Sequence, residues 1–138
     1  MSRLFLTSHT ISTVPQDIHT YTLSNGLTLL TERMPHVRST SFNILLPAGA
    51  AHDPDGRHGL ASLVCDLMTR GAGSRDNREL TDALDNLGVD RGESSGTLNV
   101  QLSGAMLSRN LIPTFEIYAD ILRRPHLPED ELDAAKSL

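Results

Sequence analysis

The chain has 138 residues, 38% hydrophobic and 21% charged, with a formal net charge of -5 at neutral pH, which is room for one domain with its own core and hardly enough for two. Ordinary glycine and proline content excludes a fibrous or disordered polymer, and no apolar run approaches the roughly 20 residues of a membrane span. The acidic balance and scattered arginines exclude a phosphate-binding face, so nucleic acid is not an expected partner.

Residues 1–13 hold only Leu4, Phe5 and Leu6 as an apolar run, too short for a signal peptide, and a cytoplasmic location is expected. Asn25-Gly26 lies between two strand-like runs and offers the positive φ angles of a tight turn, which predicts a hairpin of residues 20–24 with 27–33. Phe42, Ile44 and Leu46 alternate with Asn43 and Leu45 ahead of Pro47 and Gly49, a third strand running into a loop. The turn-rich segment 52–59 then leads into a helix. Its Leu60, Leu63, Val64, Leu67 and Met68 fall at i, i+3, i+4, i+7 and i+8 and are the expected core face. On the same helix Ser62, Cys65 and Asp66 stand at i, i+3 and i+4, the spacing at which one helix side presents a site.

Asp76 precedes Glu79 by three residues, a capping-box spacing, and Leu80, Ala83, Leu84 and Leu87 follow at helical intervals before Gly88 stops the helix. The polar segment 89–96 reads as a short exposed strand, and the alternation of Leu98, Val100 and Leu102 as a better buried one. Leu111, Phe115, Ala119 and Leu122 mark the core stripe of a third helix, with Pro113 in its first turn and Arg123 and Arg124 at its C-terminal end. Pro128 and the acids after it begin a fourth helix that the chain leaves uncapped, as expected of the truncated N-terminal part of a longer subunit. The order β-β-β-α-α-β-β-α-α predicts an α+β fold, a mixed and mostly antiparallel sheet with helices on one face, in a single domain over 1–138.

Cys65 is the one cysteine, so no internal disulfide or multi-thiolate zinc site forms, and a small packed residue is the simple reading. His9, His19, His36, His52 and His126 fall in predicted loops and ends as solvated imidazoles. His58 shares the side of Ser62 and Cys65 but stands roughly 10 Å from Cys65 along the axis.

The succession LSNGLTLL, AGAAHDPDGRHGLASLVCDLMTRGAGSR, LTDALDNLGVD and ILRRPHLPEDELDAAK resembles the N-terminal part of the pitrilysin, insulinase and mitochondrial processing peptidase family of zinc metallopeptidases, from about Tyr21 onward. The resemblance implies a processing-peptidase-like half-domain. In active members the helix carries the inverted motif His-x-x-Glu-His: two histidines hold zinc, the glutamate activates water, and a further glutamate about 75 residues downstream completes the site. Aligned through Gly59-Leu60-Ala61 and Arg70-Gly71, the motif positions here are Ser62, Cys65 and Asp66. Ser62 is a poor ligand, Cys65 replaces the general base, and Asp66 is a shorter and harder donor than imidazole. The downstream glutamate falls past Leu138. Cys65 and Asp66 also point about 100° apart, which is poor for chelation. No catalytic residue, metal ligand or cofactor is therefore expected, although zinc serves active relatives.

What the resemblance implies is a non-catalytic peptidase-like subunit that contributes chamber wall, substrate contacts and a partner interface. Its expected partners are an active peptidase subunit of the same family and a peptide substrate. Active relatives bind an extended peptide along an edge strand after the Leu-Gly pair matching Leu87-Gly88, which places Gly92, Glu93, Ser94 and Ser95 as candidate substrate contacts. An edge merely protected by Arg91 and Glu93 is the alternative. Rival functions are an active metallo-endopeptidase with an atypical site, a nucleophilic site built from Ser62, Cys65 and His58, and a structural module resembling the core subunits of respiratory complexes.

Overall fold

The computed structural model describes residues 16–136, so the apolar run at 4–6, His9 and the last two residues lie outside the described residues. Contacts divide the chain into two compact units, with the division between Val37 and Arg38.

In the first unit Ile18–Thr22 (β1) pairs antiparallel with Thr28–Glu32 (β2), Ile18 facing Glu32 and Thr22 facing Thr28. The hairpin is the expected one, but its turn is wider. A two-residue Asn-Gly turn needs positive φ at both positions, and only Gly26 has it, at 86°. The Asn25 side chain instead accepts from Leu27 N at 3.1 Å, which lets Asn25 keep an ordinary φ. A three-residue loop results, closed by Leu23 N to Leu27 O at 2.8 Å and Gly26 N to Leu23 O at 2.9 Å.

The second unit runs Ser39–Leu46 (β3), Leu60–Leu67 (α1), Asn77–Asn86 (α2), Asp90–Ser95 (β4), Val100–Leu107 (β5), Leu111–Arg123 (α3) and Leu132–Ala135 (α4). Its sheet has the order β3-β5-β4 with both pairings antiparallel. The fold is α+β, and the elements follow in the predicted order. Central β5 alternates buried with half-buried residues, because one face meets helices and the other carries polar groups such as Gln101, whose amide donates to Asn43 Oδ1 at 2.8 Å. Leu102 and Met106 of that inner face share a core with Leu80 and Leu84 of α2 and Ile117 and Ile121 of α3. Phe42 lies opposite Gly104 in the register. The missing side chain at 104 lets the Phe42 ring cross β5 and meet Phe115 and Tyr118 edge-on, with centroids 5.0 and 4.8 Å away.

Helix α2 forms as its sequence dictates: Asp76 and Glu79 make the reciprocal capping box, Leu80 and Leu84 are buried, and Gly88 ends the helix at φ 63. The Asn110 amide donates to Leu87 O at 2.8 Å and satisfies a terminal carbonyl. Two stripes are rotated from their predicted positions. On α3 the buried residues are Thr114, Ile117, Tyr118 and Ile121, while Ala119 is exposed. Two hydroxyl-bearing residues enter the core because each is satisfied there, Thr114 Oγ1 donating to Asn110 O at 2.8 Å and Tyr118 Oη to Ser103 O at 3.0 Å. On α1 the buried residues are Ala61, Cys65 and Leu67, with Met68 at the cap, whereas Val64 is 40% exposed. The helix turns its small Ala61 and Cys65 side chains inward, which lets it lie close to the sheet.

Candidate functional site

Helix α1 starts at Gly59, whose φ of 93 and lack of a side chain leave it no cap of its own. Asp53 supplies one from six residues upstream: its carboxylate accepts from Gly59 N at 2.8 Å and Ala61 N at 2.9 Å. At the other end Gly71 takes a φ of 116, and its carbonyl accepts from His126 N at 3.0 Å, tying the helix exit to the segment after α3.

The three motif positions do not converge. Ser62 is exposed and Asp66 half-buried. Both line a groove of about 530 Å³ between α1 and α4, together with His58, Leu60, Leu63 and Ala135. Cys65 is 3% exposed and faces β4, where Glu93 is close enough to act on it. The nucleophilic grouping of Ser62, Cys65 and His58 is thus not assembled. Burial, and after it the Glu93 and Asp66 carboxylates, push the Cys65 thiol up. This favours the neutral thiol over the thiolate.

Asp66 has a different engagement. Arg70 Nε donates to Asp66 Oδ2 at 2.9 Å, and Arg70 Nη1 to Glu131 Oε2 at 2.9 Å. Asn77 Nδ2 donates to both Glu131 oxygens, at 3.2 and 3.1 Å. The hydrogen bonds to Glu131 and then to Asp66 raise the Arg70 pKa further, while Arg70 and then Asn77 hold Glu131 low. The Arg70 guanidinium thereby joins α1 to the turn Glu129–Glu131 that leads into α4, and Glu131 in turn holds the start of α2 through Asn77. The Asp66 and Arg70 spacing of i, i+4 was the sequence signal for half of this network. Nothing local could have named Glu131.

This donor set does not fit zinc: an exposed hydroxyl, a protonated buried thiol and a carboxylate already shared with an arginine. Among the described residues no three His, Cys, Asp or Glu side chains gather where a metal ion could be held.

Gly92, Glu93, Ser94 and Ser95 lie together on β4, facing Ser103, Leu102, Gln101 and Val100 of β5. β4 ends the order β3-β5-β4, so among the described residues its outer edge has no strand beside it. Ser103 Oγ donates to Gly92 O at 3.1 Å. Ser95 Oγ is buried without a hydrogen-bond partner among the described residues.

The family Insulinase (Peptidase family M16) is matched over residues 28–138. The chain belongs to this family. It is 27% identical over 110 residues to an uncharacterized zinc protease of Rickettsia bellii, covering 80% of this chain and 27% of that protein. It is 24% identical over 117 residues to the mitochondrial-processing peptidase subunit beta of Lentinula edodes, covering 85% of this chain and 25% of that one. The chain therefore spans about a quarter of the length of these curated M16 relatives. Its fold superposes on a peptidase M16 inactive domain from Pseudomonas fluorescens with a TM-score of 0.80 at 20% identity, over 88% of this chain and 30% of that one. Pitrilysin gives a TM-score of 0.79 at 17% identity, over 91% of this chain and 13% of that one. The M16 fold is thus retained around a helix on which Ser62 is exposed, Cys65 is buried and Asp66 is paired with Arg70.

Proposed function

We propose that this M16 domain serves in a non-catalytic peptidase-like subunit, contributing chamber wall, substrate contacts and a partner interface beside an active subunit of the same family. The observation that carries the reading is the state of the motif helix, where Asp66 is ion-paired to Arg70 and Cys65 is buried as a neutral thiol. A zinc-bound water needs three protein ligands and a base, and these positions supply none of them. The likeness to an M16 inactive domain is in keeping with this. The open edge of β4 offers unpaired main-chain groups, and an extended peptide adds to such an edge as a further strand.

Metal analysis of the purified full chain, run beside cleavage of a quenched peptide library by the chain alone, tests the proposal. The expected result is no stoichiometric zinc and no turnover. Zinc that disappears on Asp66→Ala, or turnover that disappears on Cys65→Ala, overturns it in favour of an atypical metallo-endopeptidase. Capture of a His-x-x-Glu-His-bearing M16 protein on the immobilised chain supports the paired subunit. A chain that takes up neither that protein nor peptide is a structural module instead.

A further inference from the structure

The turn between β1 and β2 joins Asn25 to Gly26, and both residues are exposed. Asn25 alone among the asparagines of the chain is followed by a glycine. The Gly26 amide nitrogen therefore has no side chain of its own to shield it, and a Cβ built there would meet nothing within 4 Å.

The turn also prepares the carboxamide of Asn25 for attack. Leu27 N donates to Asn25 Oδ1 at 3.1 Å, and this is the oxygen on which negative charge grows when a nucleophile adds to Cγ. A main-chain donor thus stands where an oxyanion needs one. Asn25 Nδ2 makes no hydrogen bond among the described residues and is free to leave, whereas Nδ2 of Asn77 and of Asn110 is held by Glu131 and by Leu87 O. The nucleophile is the next amide along the chain, which gives Gly26 N the advantage of an intramolecular reaction. One contact opposes the step, Gly26 N to Leu23 O at 2.9 Å, and it has to open. β1 and β2 pair with no third strand among the described residues, and a two-stranded hairpin is marginally stable by itself, so opening is readily reached.

We infer that Asn25 is a site of spontaneous covalent modification that unlocks the hairpin. Hydroxide takes the Gly26 amide proton, the bond from Gly26 N to Asn25 Cγ forms, and the bond from Cγ to Nδ2 breaks as ammonia leaves with a proton from water. Water then opens the cyclic imide. Addition at Cγ leaves aspartate; addition at the main-chain carbonyl of residue 25 breaks its bond to Gly26 N and routes the chain through Cγ, leaving isoaspartate. Both products carry a new negative charge, and isoaspartate also lengthens the main chain by a methylene. The bonds from Leu23 N to Leu27 O and from Gly26 N to Leu23 O both span that link, so the longer chain undoes the closure of the loop. The sheet β3-β5-β4 belongs to the second unit and keeps its own pairing.

Incubation of the full chain at mildly alkaline pH, followed by peptide mapping with electron-transfer fragmentation, tests the inference. Asn25 should react before any other asparagine, faster as pH rises, and give isoaspartate along with aspartate. Hydrogen exchange of the isoaspartate-bearing fraction should show lost protection across β1 and β2 and retained protection in β3 and β5. Asn25→Asp carries the charge without the longer chain, and its carboxylate can still accept from Leu27 N, so its hairpin should be as protected as in the untreated protein. Asn25 still intact when a synthetic peptide of residues 20–30 has reacted, aspartate without isoaspartate, or an isoaspartate fraction with its hairpin protection unchanged overturns the inference.

Discussion

At Cys65 the thiol is 3% exposed and kept protonated first by burial and then by Glu93 and Asp66, so its reaction with a disulfide reagent at mildly alkaline pH must wait for local opening. Slow labelling of the folded chain and prompt labelling in denaturant are expected; prompt labelling of the folded chain would contradict the buried setting. At Gly104 a Cβ would come within 2.6 Å of Phe42 Cε1, and Gly104→Ala should cost about 1–3 kcal/mol as the ring is displaced. An unchanged urea midpoint would mean the ring has room to spare. The packed reading of Cys65 was available from residue type, and its divergence from Asp66 from the helical repeat, but its separation from Ser62 was not. A helical repeat gives angles between side chains. Which angle is filled depends on β4, thirty residues away in sequence.

The two capped helices show the same difference between near and distant signals. Asp76 and Glu79 lie three residues apart and cap α2 on each other, so their role was readable from spacing. Asp53 caps α1 across a loop, and nothing in a linear pattern links it to Gly59. Each carboxylate should be worth about 1 kcal/mol, within roughly 0.5–2, so Asp53→Ala and Asp76→Ala are both expected to lower the urea midpoint without altering the slope. A midpoint that stays put in Asp53→Ala would show that α1 does not depend on its distant cap. The rotation of the α3 stripe has a related origin. A hydropathy pattern passes over Thr114 and Tyr118, while the folded helix buries them because backbone carbonyls stand ready for their hydroxyls.

The order of elements and the α+β class were legible in the sequence, because strong local periodicities and turn residues mark each segment. The strand order and the cross-links were not, since they join distant parts of the chain. One of those cross-links and one local pair set the acid response of the molecule. Glu131 is held below the usual glutamate range by Arg70 and then Asn77, and Asp120 below the usual aspartate range chiefly by Arg124. Both groups bind protons less readily in the folded state than in the unfolded one. Their stabilisation is therefore complete above the ordinary carboxylate pKa, about 4, and is lost as pH falls through the depressed folded values. Thermal melts should be flat from neutrality to mildly acid pH and then decline. Glu131→Gln should start lower and decline less; an identical acid decline in that variant would remove Glu131 from the explanation.

The pairing of β3 with β5 also bears on how the chain is made. Partners in that ladder are separated by 54 residues, Leu46 to Val100, up to 68, Ser39 to Leu107. At a synthesis rate of about 5–20 residues per second, β3 leaves the ribosome roughly 3–14 seconds before its neighbour exists. For that interval Phe42, Ile44 and Leu46 form a nascent strand without a ladder, open to pairing with other growing chains. A holdase that shields this stretch during translation should raise the yield of native protein more than one supplied after release.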